Sequence, residues 1–174
     1  FYYSNDGGKS WSSESMRSEY GVWGDPVLMF DTANTAYYFH LASYKKTSHL
    51  DRIVCQKAQI NEEGELRAEM FDKGTFTEPN GTKVQDKHWT VLNEKTNEIY
   101  MTWTQFDEYN SKEEADSTII VFSKSADQGA TWTAPKRISF YAGDCLDGDN
   151  TVEGAVPAVG PNGEIYVTWT GPKG

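Results

Sequence analysis

The chain has 174 residues and a formal net charge of −10 at pH 7, with 37% hydrophobic and 14% aromatic residues. That length suits one domain with a sizeable core, and the aromatic content suits strands and not a disordered chain. The acidic balance argues against nucleic acid or an anionic membrane surface as partner. No apolar run reaches the ~20 residues that a membrane-crossing helix needs.

The first residues, Phe1-Tyr2-Tyr3-Ser4, already belong to a motif. Ser4-Asn5-Asp6-Gly7-Gly8-Lys9-Ser10-Trp11 reads Ser-x-Asp-x-Gly-x-(Ser/Thr)-Trp, and Ser125 to Trp132 repeats it. An Asp that accepts backbone N–H groups, a Gly with positive φ and a Trp opening the returning strand make a stapled hairpin. The acids Asp6 and Asp127, with Gly8, Trp11, Gly129 and Trp132, are therefore expected to be structural. With no initiator Met and no leader, the start reads as processed or as a piece of something longer.

Between the two motifs, paired apolar runs repeat at roughly sixty residues. Trp23 to Phe30 precedes Thr35 to Leu41, Asp86 to Leu92 precedes Asn97 to Trp103, and Glu153 to Val159 precedes Gly163 to Trp169. Short joints at Thr32 to Asn34, Asn93 to Thr96 and Gly160 to Gly163 read as hairpin turns. Aligning the repeats on Tyr38, Tyr100 and Tyr166 makes Asp25 the counterpart of Glu153, with Asp86-Lys87 in the same place in the middle copy. Third and fourth strands follow, clearest at Ser117 to Ser123 and Ala130 to Ser139. In the preceding copy they are expected at Asp51 to Ala58 and about Glu65 to Phe71. A worn motif, Ile60 to Leu66, separates these two, with Glu62 in the place of the Asp.

The expected fold is all-β, a β-propeller of four-stranded antiparallel blades. The chain carries about three blades: a half-blade at 1–17, blades at 18–76 and 77–139, and a half-blade at 140–174. A closed ring uses roughly four to eight blades, so a six-bladed ring needs either missing blades or a second copy of the chain. Phe1 aligns with Phe122, which places the start of its strand upstream and favours a fragment over a half-propeller that dimerises.

Strand order puts the stapled turns on one face and the two-to-three and blade-to-blade loops on the other. The second face would gather Asp25, Asp86 and Glu153 at the starts of the inner strands. Convergent acids in a funnel suit general acid–base work, because crowding and burial raise one pKa. They equally suit hydrogen bonding between inner strands. Trp23, Trp89 and His88 lie beside them, as sugar-stacking surfaces or as blade packing, and Arg17 and Arg52 are the arginines that could reach this face. Asp144, Asp147 and Asp149, followed by Glu153, have oxygen donors for a cation such as Ca²⁺. The favoured reading is a solvated acidic loop with no cofactor required. Asp149 is also a candidate partner in a carboxylate pair. Two distant cysteines, Cys55 and Cys145, read as buried free thiols in preference to one disulfide.

The stapled turns and the blade pattern resemble the Asp-box, or bacterial neuraminidase repeat, of sialidase-like β-propellers, over essentially the whole chain. The resemblance implies a secreted or periplasmic carbohydrate-active protein, a glycosidase acting on a glycan or other saccharide. The family's alternative is a non-catalytic propeller that binds glycan or protein. A sialidase also uses an arginine triad opened by an Arg-Ile-Pro motif; this chain lacks that motif and has four arginines, Arg17, Arg52, Arg67 and Arg137.

Overall fold

The computed structural model describes residues 1–43, 49–146 and 150–172. Among the described residues, twelve short and medium strands run in chain order. Strands β1 (Tyr2–Tyr3) and β2 (Ser12–Ser13) form a two-stranded unit. A four-stranded sheet follows, β3 (Gly24–Phe30), β4 (Thr35–Ala42), β5 (Arg52–Gln59) and β6 (Thr75–Phe76). A second holds β7 (Val84–Asn93), β8 (Glu98–Phe106), β9 (Thr118–Ser125) and β10 (Lys136–Arg137). Strands β11 (Glu153–Val159) and β12 (Ile165–Thr170) close the chain as another pair. Each sheet is an antiparallel meander in sequence order, the arrangement of a propeller blade.

Turn chemistry explains the first hairpin. Asp31 Oδ1 accepts the N–H groups of Ala33 and Thr35, its Oδ2 accepts the Tyr37 hydroxyl, and Asn34 takes φ 62°. Between the two full blades lies the main core. Tyr37, Phe39, Leu41 and Ile53 meet Ile99, Met101, Trp103 and Val121 there. A smaller core of Ile120, Val152 and Ala155 joins the second blade to β11 and β12. The middle strands β4 and β8 are buried almost throughout because a neighbour lies on each face.

Both stapled turns form as expected. In the second, Asp127 accepts Thr131 N–H at 2.8 Å and the Thr131 hydroxyl at 2.5 Å, while Ser125 Oγ accepts Gly129 N–H at 2.8 Å. The worn copy differs in its key residue: Asn61 Oδ1, and not Glu62, accepts Glu65 N–H at 2.7 Å.

The fourth strand of the first blade is Thr75–Phe76, and the expected Glu65 to Phe71 segment is instead a bend carrying the 3-10 turn Ala68–Met70. Glu14 draws that segment away from the sheet. Its carboxylate accepts Ala68 N–H at 2.7 Å and the Arg67 guanidinium at 2.9 Å. Gly74, at φ 84°, then returns the chain to β5.

Register also shifts the repeat alignment by one residue in the first blade. Counted from the bulge that opens each inner strand, Tyr37 paired with Met29, and not Tyr38, stands where Tyr100 and Tyr166 stand. By the same pairing the counterparts of Asp86 and Glu153 are with Gly24, not Asp25.

Candidate functional site

Each inner strand starts with a bulge. The ladder skips between Gly24 and Val27, between Asp86 and Trp89, and between Glu153 and Val156. One residue in each bulge is left-handed: Asp25 at φ 49°, Lys87 at φ 49° and Gly154 at φ 72°. Such a conformation costs a lysine about 1 kcal/mol, and bulges re-aim side chains. Here they turn three acids and one lysine toward a common point.

Lys87 is the hub. Its backbone N–H donates to Asp86 Oδ1 at 2.8 Å and to Asp25 Oδ2 at 3.2 Å. Its ammonium lies 3.5 Å from Asp86 Oδ2 and 3.6 Å from Glu153 Oε1. That Glu153 oxygen is buried and makes no hydrogen bond. Burial pushes the Asp86 carboxyl above the ordinary aspartate value, and the neighbouring Asp25 carboxylate adds to the rise, while Lys87 opposes it. Asp86 is therefore an acid that keeps its proton to higher pH than an ordinary aspartate.

Two cavities flank this cluster. An apolar hollow of 360 Å³ is walled by Asp25, Val27, Lys87, Trp89 and Val156, with the Trp89 ring 49% exposed. On the other side a cleft of 740 Å³ reaches Asp86 from a rim of His49, Thr82, Glu108 and Tyr109. These rim residues come from the β4–β5 loop, the blade-to-blade segment and the β8–β9 loop, the loops expected on this face. Tyr109 packs edge-on against Phe106, at 5.1 Å between ring centres. Asp107 is partly buried, which favours its protonation, yet the Lys83 ammonium and the Ser117 hydroxyl and N–H prevail and hold it ionised.

The other expected site residues are dispersed. Arg52 is buried in a structural box. It pairs with Asp51 through two bonds of 2.9 and 3.0 Å and stacks its guanidinium over Phe76 at 4.4 Å and Tyr20 at 5.4 Å. Arg17 is exposed in a separate groove between the N-terminal half-blade and the first blade. Trp23 folds back beside Gly21, where an added Cβ would lie 2.7 Å from its ring nitrogen.

His88 is 2% exposed, with neither ring nitrogen hydrogen-bonded, and burial lowers its pKa to about 4. It is neutral and packed between the blades, at the wall of the apolar hollow beside Asp25. Asp144 caps Leu146 N–H at 3.1 Å, while Asp147 and Asp149 lie outside the described residues. Among the described residues no group of three or more His, Cys, Asp and Glu could hold a metal ion. Both cysteines are buried and free.

No protein-family model matches the chain, and no curated protein matches it. Among solved structures, Hadza microbial sialidase Hz136 superposes with a TM-score of 0.54 over 79% of this chain at 13% sequence identity. The fold is sialidase-like. The chain spans 30% of the length of that protein, and the likeness extends to the sheet arrangement alone. Sequence reasoning missed Lys87 as the hub and Tyr109 as the rim aromatic. Lys87 stood beside a named acid, but its left-handed bulge has no one-residue signature.

Proposed function

We propose that the chain is a carbohydrate-active protein that hydrolyses glycosidic bonds at the Asp86 cluster. The observation that carries this reading is a half-buried carboxyl with a raised pKa, placed between two cavities and beside two further acids. Asp86 supplies the proton to the departing glycosidic oxygen. Glu153 or Asp25 is the second carboxylate, acting as base or nucleophile on the opposite side of the anomeric carbon. The exposed Trp89 ring offers a stacking surface for an apolar pyranose face. Lys87 supplies the positive charge that lets three acids share one site. No arginine lines either cavity among the described residues, so a neutral saccharide suits this site better than a sialic acid.

A panel of fluorogenic neutral and sialyl glycosides tests the reading. Asp86→Asn is expected to lower turnover at least ~100-fold, with Glu153→Gln and Asp25→Asn also impaired and the circular dichroism spectrum unchanged. Wild-type turnover in all three variants overturns it. A second reading is a glycan- or protein-binding propeller without catalysis, which the existing Lys87 bridge to Asp86 and Glu153 favours. Saturable glycan binding with no released sugar selects that reading.

A further inference from the structure

The 740 Å³ cleft is built by the two four-stranded blades, from segments 49–50, 82–86 and 107–109. Leu50, in the β4–β5 loop, is fixed against the second blade, its carbonyl accepting Gln85 N–H at 2.8 Å. Asp86 lines this cleft, whereas Asp25 and Lys87 line the apolar hollow. The β8–β9 loop adds Glu108 and Tyr109.

A single exposed aromatic ring is ordinary on a protein surface. What sets Tyr109 apart is how it is held. The ring is 40% exposed, and its edge packs on Phe106, which is fully buried at the end of β8. Its neighbours are tied down on both sides. Asp107 N–H donates to the Ser117 carbonyl at 3.0 Å, and Asp107 Oδ2 accepts the Ser117 N–H and hydroxyl, each at 3.0 Å. Asn110, left-handed at φ 64°, donates its N–H to the carbonyl of buried Cys145 at 2.9 Å. A ring ordered by folding spares a ligand the entropy of ordering it. Glu108 is exposed beside it. Its carbonyl takes the bond of the turn, from Ser111 N–H at 3.3 Å, which leaves the carboxylate to the cleft. Among the titratable groups lining the cleft, Asp86, Asp107 and Glu108 outnumber His49, and the Lys83 ammonium beside Asp107 offsets one of them. That acidic balance opposes an anionic ligand and leaves a neutral one unopposed. A fixed ring beside a carboxylate suits a neutral pyranose, whose C–H face covers the ring while its hydroxyls donate to the carboxylate.

We propose that Glu108 and Tyr109 form a sugar subsite on the leaving-group side of Asp86, a placement that rests on the hydrolysis reading above. A general acid stands beside the departing oxygen, so the cleft that Asp86 lines is where the departing sugar lies. Tyr109 stacks on that sugar and Glu108 accepts its hydroxyls. Both residues determine specificity and take no part in the bond cleavage. The substrate class is a glycan whose leaving group is itself a neutral sugar.

Titration calorimetry with cellotriose, laminaritriose, triacetylchitotriose and sialyllactose tests the subsite. At least one neutral trisaccharide is expected to bind saturably, and sialyllactose more weakly. Tyr109→Ala is expected to weaken that binding at least ~10-fold, the loss of one aromatic surface, and Tyr109→Phe to retain it. Glu108→Gln, at an exposed position, is expected to weaken it several-fold and decides the matter where Tyr109→Ala perturbs the loop. For a trisaccharide that is cleaved, Tyr109→Ala and Glu108→Gln should lower kcat/KM but leave that for the matching glycosyl fluoride unchanged, since fluoride reaches no sugar subsite. Equal losses on both substrates overturn the leaving-group placement. Binding unmoved by either variant, or no neutral trisaccharide bound, overturns the subsite whether or not glycosides are cleaved. Binding that depends on Tyr109 and Glu108 with no sugar released upholds the sugar contact and overturns hydrolysis instead.

Discussion

The acids of the stapled turns and the acids of the inner strands are the same residue types put to opposite use. Asp6 and Asp127 stand at the surface with every carboxylate oxygen occupied, and their hydrogen bonds hold both pKa values at about 2. Asp86 is desolvated, shares its surroundings with Asp25, and is shifted upward. A carboxylate satisfied by its own turn is locked as an anion and can only hold structure. A carboxyl that burial and a like charge oppose is poised to carry a proton. The difference comes from surroundings that a strand bulge creates, not from the acid itself.

The sharpest way to break this contrast is to remove one acid of each kind. Asp86→Asn is expected to cost at least ~100-fold in turnover while raising the thermal midpoint above the pH at which Asp86 ionises, because a desolvated charge is removed. Asp127→Asn is expected to leave turnover unchanged and to lower the midpoint. Calorimetry and the glycoside assay, run on both variants, read the crossover.

The two turns also differ from one another in what lies beneath them. Trp132 lies edge-on to Phe39, 5.9 Å between ring centres, and donates to Thr75 Oγ1 at 3.0 Å. Trp11 is 64% exposed and donates only to Gly8 of its own turn. Trp132→Ala is expected to destabilise by about 3 kcal/mol in urea unfolding, and Trp11→Ala by no more than about 0.5 kcal/mol. Equal losses would show that the turn itself, and not its packing, does the stabilising. Gly8 and Gly129 give a smaller version of that comparison. Both are left-handed, so alanine costs each about 1–2 kcal/mol. Alanine at 129 would in addition bring its Cβ to 3.1 Å from the Cys55 sulfur, so Gly129→Ala is expected to be the worse of the pair.

Acid pH separates the groups further. A depressed carboxylate stabilises above its unfolded pKa, and that contribution disappears as pH falls toward the folded value. Asp6 and Asp127 therefore lose theirs between 3.8 and about 2. Asp86 has the opposite sign: its contribution is present below 3.8 and lost as pH rises through its raised value. His88, neutral when folded, stabilises above 6.5 and loses that contribution as pH falls toward about 4. A thermal midpoint that declines between pH 6.5 and 4 in the wild type, and less steeply in His88→Leu, is the smallest of these expected effects.

Much of the fold was legible in the sequence. The Ser-x-Asp-x-Gly-x-(Ser/Thr)-Trp turns and the paired apolar runs are local patterns with local causes, so they located both full blades and both half-blades. The Glu65 to Phe71 strand was misplaced because Glu14, 54 residues before Ala68 in sequence, decides where that segment goes. Asp25 was matched to Glu153 because the doublet Tyr37-Tyr38 fits either register, and only the strand pairing, Gly24 with Leu41 as Glu153 with Thr170, tells them apart.

For the site, Asp25, Asp86 and Glu153 do converge with Trp89. His88 lines the same hollow with its ring buried, whereas Arg17, Arg52 and Trp23 do not join them, since residue type and strand position say nothing of whether a side chain is captured by an inner box. Arg52 is the clearest instance, taken by Asp51, Tyr20 and Phe76.

The most direct test of Asp86 as a proton donor is the pH dependence of kcat/KM on a hydrolysed glycoside. A donor must be protonated, so activity is predicted to fall as pH rises through a value above that of an ordinary aspartate. That basic limb should vanish with the residual turnover of Asp86→Asn. A basic limb unchanged in Asp86→Asn, with turnover intact, would contradict the account.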